Sequence, residues 1–184
     1  MDNQALQAPT LFGRIDTLEY AWCLRLNRGC SRPLVRRFFA IVSRLGDGVF
    51  WYALMALLPV IYGFAGLYPA LRMAAASVVG YLIYKTLKSR LIRERPFVAL
   101  IGITQGTPAL DRYSFPSGHT LHAVNFTTLA VAEFPELAWV CAPFAALVAM
   151  SRVILGLHYP TDVAAGALIG FGLAGAAMLI APLG

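Results

Sequence analysis

The chain has 184 residues, of which 59% are apolar and 13% charged, with a mean hydropathy of +0.67 and a net charge of +6. Soluble domains carry about 25% charged residues, so a soluble fold, disorder, collagen and coiled coil are excluded. An isoelectric point near 9.5 raises nucleic acid as a partner, but the arginines flank apolar runs and form no basic stripe. That excludes nucleic acid and leaves anionic headgroups or an anionic substrate as counterions.

The N-terminus begins Met1-Asp2-Asn3-Gln4, without a basic n-region or an early apolar stretch, so no cleavable signal peptide is expected. From Leu11 to Arg28 the pattern predicts an amphipathic helix, with Phe12, Ile15, Leu18, Trp22 and Leu26 at helical spacing. A second such piece starts after Pro33 and carries Phe38, Phe39, Val42 and Leu45. Both hold too much charge to span, and are expected flat in the membrane interface. Gly46-Asp47-Gly48 breaks the pattern. Residues 1–47 are therefore read as an interfacial segment and 48–184 as a transmembrane domain.

No Asp, Glu, Lys or Arg occurs from Gly48 to Leu71 or from Val163 to Gly184. Each run can cross a hydrocarbon core of about 30 Å. Five spans are predicted, near 48–66, 69–88, 117–134, 137–155 and 160–181. In the second, Arg72 and Lys85 are expected to snorkel to the interfaces. The longest loop, Ser89 to Pro116, separates spans two and three. The fold class is all-α: a polytopic membrane bundle of five to six helices with interfacial N-terminal helices. Gly166, Gly170, Gly172 and Gly175 suit close helix packing. The formal dinucleotide fingerprint at 170–175 has no acidic residue after it and is rejected. Cys23, Cys30 and Cys141 are too few and scattered for a disulfide framework, and Trp22, Trp51 and Trp139 are placed as interfacial anchors.

Five spans put the end of span two, the start of three, the end of four and the start of five on one membrane face. Lys88, Arg95, Ser117, His119, Arg152, His158 and Asp162 all sit at those places. Lys88 and Arg95, seven apart, share a helix face if the helix runs to Pro96, and two cations at one spot suit an oxyanion. Arg90 and Arg93 are read as solvated anchors. Pro116-Ser117-Gly118-His119 reads as a helix start with Ser117 as N-cap, a terminus that also binds phosphate, and Gly118 permits close backbone approach. His122 raises metal binding, which the surrounding cations disfavour. His158 and Asp162, four apart, meet if a helix begins near Tyr159, and a carboxylate beside an imidazole fixes its tautomer.

Lys88, six residues, Arg95-Pro96; Pro116-Ser117-Gly118-His119; Ser151-Arg152, five residues, His158, three residues, Asp162: this resembles the three-part signature of the type 2 phosphatidic acid phosphatases, related to vanadium haloperoxidases. The resemblance implies a membrane lipid phosphatase that needs no metal or other cofactor. It implies His158 as the nucleophile forming a phosphohistidine, Asp162 orienting it, and His119 as general acid and then base. Lys88, Arg95, Ser117, Gly118 and Arg152 would hold the phosphoryl oxygens. The implied partners are membrane lipids and a lipid phosphate or diphosphate: phosphatidate, phosphatidylglycerol phosphate, diacylglycerol diphosphate or a polyprenyl diphosphate such as undecaprenyl diphosphate. Phosphoryl transfer between two lipids is the competing enzyme reading, and lipid binding without turnover the non-enzyme one. Oligomeric state has no sequence signature here.

Sidedness is in conflict. Seven arginines precede span one, seven basic residues lie on the site face, and only Arg72 lies opposite. The positive-inside rule therefore places the site in the cytoplasm, whereas the resemblance implies the outer face of the inner membrane.

Overall fold

A computed structural model describes residues 13–180, with side chains from Leu18 onward. Phe12, the first four residues and the end of the predicted fifth span lie outside the described residues, as does the side chain of Ile15. The described residues contain helices and no strand. They form α1 (Gly13–Asn27), α2 (Pro33–Arg44), α3 (Phe50–Tyr62), α4 (Phe64–Arg90), the single turn α5 (Pro96–Ala99), α6 (Gly118–Glu133), α7 (Ala138–Ile154) and α8 (Pro160–Ile180).

Four helical stretches are long and apolar enough to cross a membrane: Pro33–Tyr62, Phe64–Arg90, Pro135–Ile154 and Pro160–Ile180. The predicted third span is α6, only 16 residues long, which packs against α4, α7 and α8. The chain is a multi-pass helical membrane protein.

α2 and α3 meet at a kinked turn, Leu45–Val49, where the backbone leaves helical geometry at Gly48, so the break expected at Gly46-Asp47-Gly48 is present inside the apolar stretch Pro33–Tyr62. Gly48 takes φ 134° there, a region that L side chains rarely adopt. The glycines that read as a breaker separate α2 from α3. Gly46 lets this bend approach α7, where an added Cβ would stand 2.6 Å from a Val148 methyl.

Below the bend, Trp51 is fully buried, packed against Phe50, Phe126 and Phe144. It is a core residue and not the interfacial anchor expected of it; Trp22 and Trp139 are exposed. Gly63, at φ 60°, turns α3 tightly into α4. Arg72 does not snorkel. It is 6% exposed and its Nη2 bonds Glu133 Oε1 at 2.6 Å, clamping α4 to the end of α6. An unpaired guanidinium at that depth would carry a large desolvation cost, so the glutamate decides its position.

The tightest packing joins α6 to α8, and the glycine run divides in two. An added Cβ on Gly166 would stand 2.5 Å from Ser117 O, and on Gly170 2.3 Å from Leu121 O, while Gly172 and Gly175 have nothing within 4 Å. Only the first two let backbones meet. Gly166→Val and Gly170→Leu are therefore expected to destabilise the bundle by about 1–3 kcal/mol or more through overpacking, read as a lower unfolding temperature in detergent. Gly172→Leu and Gly175→Leu should leave it unchanged; equal effects at all four would contradict this division.

Candidate active site

His158 lies between α7 and α8, where the chain reverses at Gly156 (φ 72°). Its Nδ1 is 3.6 Å from Asp162 Oδ2, just beyond hydrogen-bond range, and its Nε2 is 3.3 Å from Arg95 Nη1. A guanidinium N–H can only donate. Nε2 therefore accepts, its lone pair facing Arg95 and the cavity, and the ring proton sits on Nδ1 toward Asp162. Asp162 is fixed in turn at the first turn of α8: Oδ2 accepts Tyr159 N at 2.8 Å, and Oδ1 accepts Arg93 Nη1 at 2.6 Å. An acidic side chain is favoured at that helix terminus.

Lys88 and Arg95 do converge, though not along one helix. α4 ends at Arg90, and Arg95 stands at the start of α5 in extended conformation. What joins them is Asp111, from the long loop. Lys88 Nζ bonds both its oxygens at 2.8 and 2.7 Å, and Arg95 bonds its Oδ1 at 2.7 Å and its backbone carbonyl at 3.0 Å. Arg95 also donates to Leu157 O at 2.7 Å, which ties the loop to the His158 turn. Burial works to raise the Asp111 carboxyl, but its bonds to Lys88 and Arg95 outweigh it and hold the group below its ordinary value of 3.8.

The third cation, Arg152 on α7, is 2% exposed. Its Nη1 donates to Ser43 Oγ on α2, and its Nε has no hydrogen-bond partner. His119, one residue into α6, has Nε2 3.4 Å from Asp47 Oδ1 in the kinked turn. A cavity of about 380 Å³ is lined by Lys88, Arg95, Gly118, His119, Arg152 and His158 at its polar end. Trp51, Tyr52, Val78, Tyr81 and Phe126 line its apolar flank, where Tyr52, Val78 and Tyr81 are exposed on the lipid-facing surface. Six of the eight predicted site residues thus share one cavity. The other two stand behind it. Asp162 backs His158, and Ser117 is fully buried as the N-cap of α6, with Oγ 3.0 Å from Thr120 Oγ1.

The sequence reading missed Asp111, Asp47, Ser43, Glu19 and the true place of Arg93. Arg93 is 2% exposed, its guanidinium 3.7 Å above the Tyr159 ring, so it is no solvated anchor. One signal for it was available: an arginine two residues before Arg95 in a loop poor in acids. The acidic partners come from distant segments and carry no spacing signal. Among the described residues, no group of three His, Cys, Asp or Glu is arranged to hold a metal ion.

Residues 69–183, more than half of the chain, match the PAP2 superfamily. The chain belongs to the PAP2 superfamily. Among its relatives, the decaprenylphosphoryl-5-phosphoribose phosphatase of Mycolicibacterium smegmatis is 38% identical over 99 residues, 52% of this chain and 51% of that protein. The undecaprenyl-diphosphatase of Sulfolobus acidocaldarius is 28% identical over 130 residues, 70% of this chain and 62% of its own. The chain thus spans about half the length of the first of these relatives. The crystal structure of Aquifex aeolicus LpxE superposes with a TM-score of 0.76 at 25% identity, covering 88% of this chain and 95% of LpxE.

In this PAP2 chain, burial pushes the His158 imidazole well below its ordinary value of 6.5, and Arg152, Arg95 and Lys88 push the same way. The ring is neutral at pH 7. As pH falls below 6.5 the unfolded chain takes up this proton first, so His158 lowers stability on acidification. A ring-selective NMR titration of the phosphate-free protein should find its midpoint below 6.5; a midpoint at or above 6.5 would contradict the burial and charge argument. Asp111→Asn should free Lys88 and Arg95 for an external anion and strengthen binding of inorganic phosphate. Weakened phosphate binding in that variant would instead make Asp111 a support for the two cations.

Proposed function

We propose that this chain is an integral-membrane lipid phosphatase that hydrolyses a lipid phosphate or diphosphate through a phosphohistidine at His158, without a metal. The observation that carries the reading is the geometry of one ring. His158 turns a lone pair on Nε2 toward a cavity rimmed by Lys88, Arg95 and Arg152, with the carboxylate of Asp162 behind Nδ1. Phosphoryl transfer asks of a protein chiefly positioning and charge stabilisation, and three cations supply the charge. Arg152, with a buried Nε lacking a partner, has donors to spend on phosphoryl oxygens. Backbone N–H groups at the start of α6, beside Gly118, add a positive helix terminus.

In the first step Nε2 attacks phosphorus, the P–N bond forms and the P–O bond to the lipid breaks. His119, also on the cavity wall, gives its proton to the leaving oxygen. In the second step His119 takes a proton from water, whose oxygen attacks phosphorus and breaks the P–N bond, releasing inorganic phosphate. Asp162 balances the positive charge that the His158 ring gains in between.

The apolar flank of the cavity, open toward the lipid-facing surface beside α3 and α4, fits a substrate that keeps its tail in the bilayer. Both sequence relatives carry polyprenyl phosphates in their names, which puts polyprenyl-linked phosphates and diphosphates ahead of glycerolipid phosphates as the substrate class. A cytoplasmic-membrane location goes with either class.

The test is phosphate release by protein purified in detergent with EDTA, across polyprenyl and glycerolipid phosphates and diphosphates. Turnover should survive EDTA, vanish in His158→Ala and fall by about 10²–10⁴-fold in His119→Ala, the usual weight of a general acid. Loss of turnover on chelation, or undiminished turnover in His158→Ala, would overturn the reading.

A further inference from the structure

α1 turns two faces to different surroundings. Leu18, Trp22 and Leu26 are exposed along one, while Glu19, Cys23 and Asn27, at the same four-residue spacing, are buried along the other. Asn27 fastens the helix, donating to Thr104 O and Ile154 O at 2.8 and 2.9 Å and accepting Thr104 N at 2.7 Å. Glu19 is not needed for that. A buried carboxylate is costly unless it is paired and hydrogen-bonded, and Glu19 is only 7% exposed.

Its partners lead to the cavity. Oε1 accepts Thr161 N at 2.6 Å, and Oε2 accepts Thr161 Oγ1 and Arg93 Nη2, each at 2.7 Å. Arg93 Nη1 donates to Thr161 Oγ1 at 2.8 Å and to Asp162 Oδ1 at 2.6 Å. Glu19 therefore grips both the residue beside Asp162 and the guanidinium that holds it. We propose that Glu19 is a positioning residue for the reaction at His158, acting through Arg93 and Asp162, an inference that rests on the phosphohistidine reading.

The physical reason is charge as well as geometry. Arg93 with Asp162 alone is a neutral pair, with little field to offer an imidazole ring that turns positive on phosphorylation. Adding Glu19 gives the trio a net charge of −1. The guanidinium is then shared between two carboxylates, and Asp162 keeps negative charge for His158 Nδ1. Removing Glu19 shifts Arg93 toward Asp162 and draws that carboxylate away from the ring.

The experiment uses the full chain in detergent, with the lipid phosphate that the wild type turns over best. Glu19→Gln and Glu19→Ala should lower kcat by about tenfold or more, the scale on which small misplacements act. KM and inhibition by inorganic phosphate should stay within about twofold, because the phosphate-holding cations are untouched. Glu19→Asp, which keeps the charge, should recover part of kcat. The double variant Glu19→Ala/Arg93→Ala should lose no more than Arg93→Ala alone. Wild-type kcat in the Gln and Ala variants, a loss carried by KM, or additive losses in the double variant would each overturn the proposal. If His158→Ala turned over like the wild type, the phosphohistidine reading would fail first and take this inference with it. An inactive His158→Ala beside fully active Glu19 variants would remove this inference alone.

Discussion

Positive charge held inside an apolar bundle is the constraint on which the rest of this molecule depends. Lys88, Arg95 and Arg152 are each at most 8% exposed, and they converge on the ring of His158. Cations so placed repel one another and lose hydration worth several kcal/mol apiece. They persist because each has a built partner: Asp111 for Lys88 and Arg95, the Leu157 carbonyl for Arg95, the Ser43 hydroxyl for Arg152. Those partners do not exhaust the donors. What remains is a cavity wall in which cations outnumber carboxylates, with the Arg152 Nε unpartnered.

The partners also explain why the fold takes its shape. Ser43 lies at the end of α2 and Asp47 in the turn between α2 and α3, Asp111 on the long loop, and Glu19 on α1. Segments remote in sequence are thus bound to a site whose cations come from α4, the loop after it and α7. Two carboxylates stand close to the machinery with opposite duties. Asp111 is bonded directly by the cations facing the cavity, whereas Asp162 stands behind His158 and is itself held by Arg93. Asp111 thus stands in the cavity wall with Lys88 and Arg95, and Asp162 on the Nδ1 side of the imidazole.

The helices were legible in the sequence, because charge-free runs and their Gly and Pro boundaries act locally. α7 begins and ends within a residue of expectation, and α8 begins where expected. The break at Gly46-Asp47-Gly48 was legible too, but the close approach of Gly46 to Val148 was not, because that neighbour comes from a distant helix. The cations and histidines were legible from type and spacing. Asp111, Ser43 and Glu19 were not, because a counterion supplied across the fold leaves no periodic trace. Arg93 was misplaced for the same reason: its burial is decided by Glu19 and Asp162, 74 and 69 residues away. Trp51 repeats the lesson in apolar form, since only its contacts with Phe126 and Phe144 distinguish it from Trp22.

The covalent step is the central claim. The most direct measurement is a rapid quench into mild alkali, where phosphohistidine survives, after mixing the protein with a lipid phosphate labelled at the transferable phosphorus. The quenched protein is then digested and the label mapped. The account predicts label on the peptide carrying His158, appearing within the first turnover and decaying as inorganic phosphate is released. Turnover of the same substrate with no label on the protein at any time would contradict it and assign the attack on phosphorus to water.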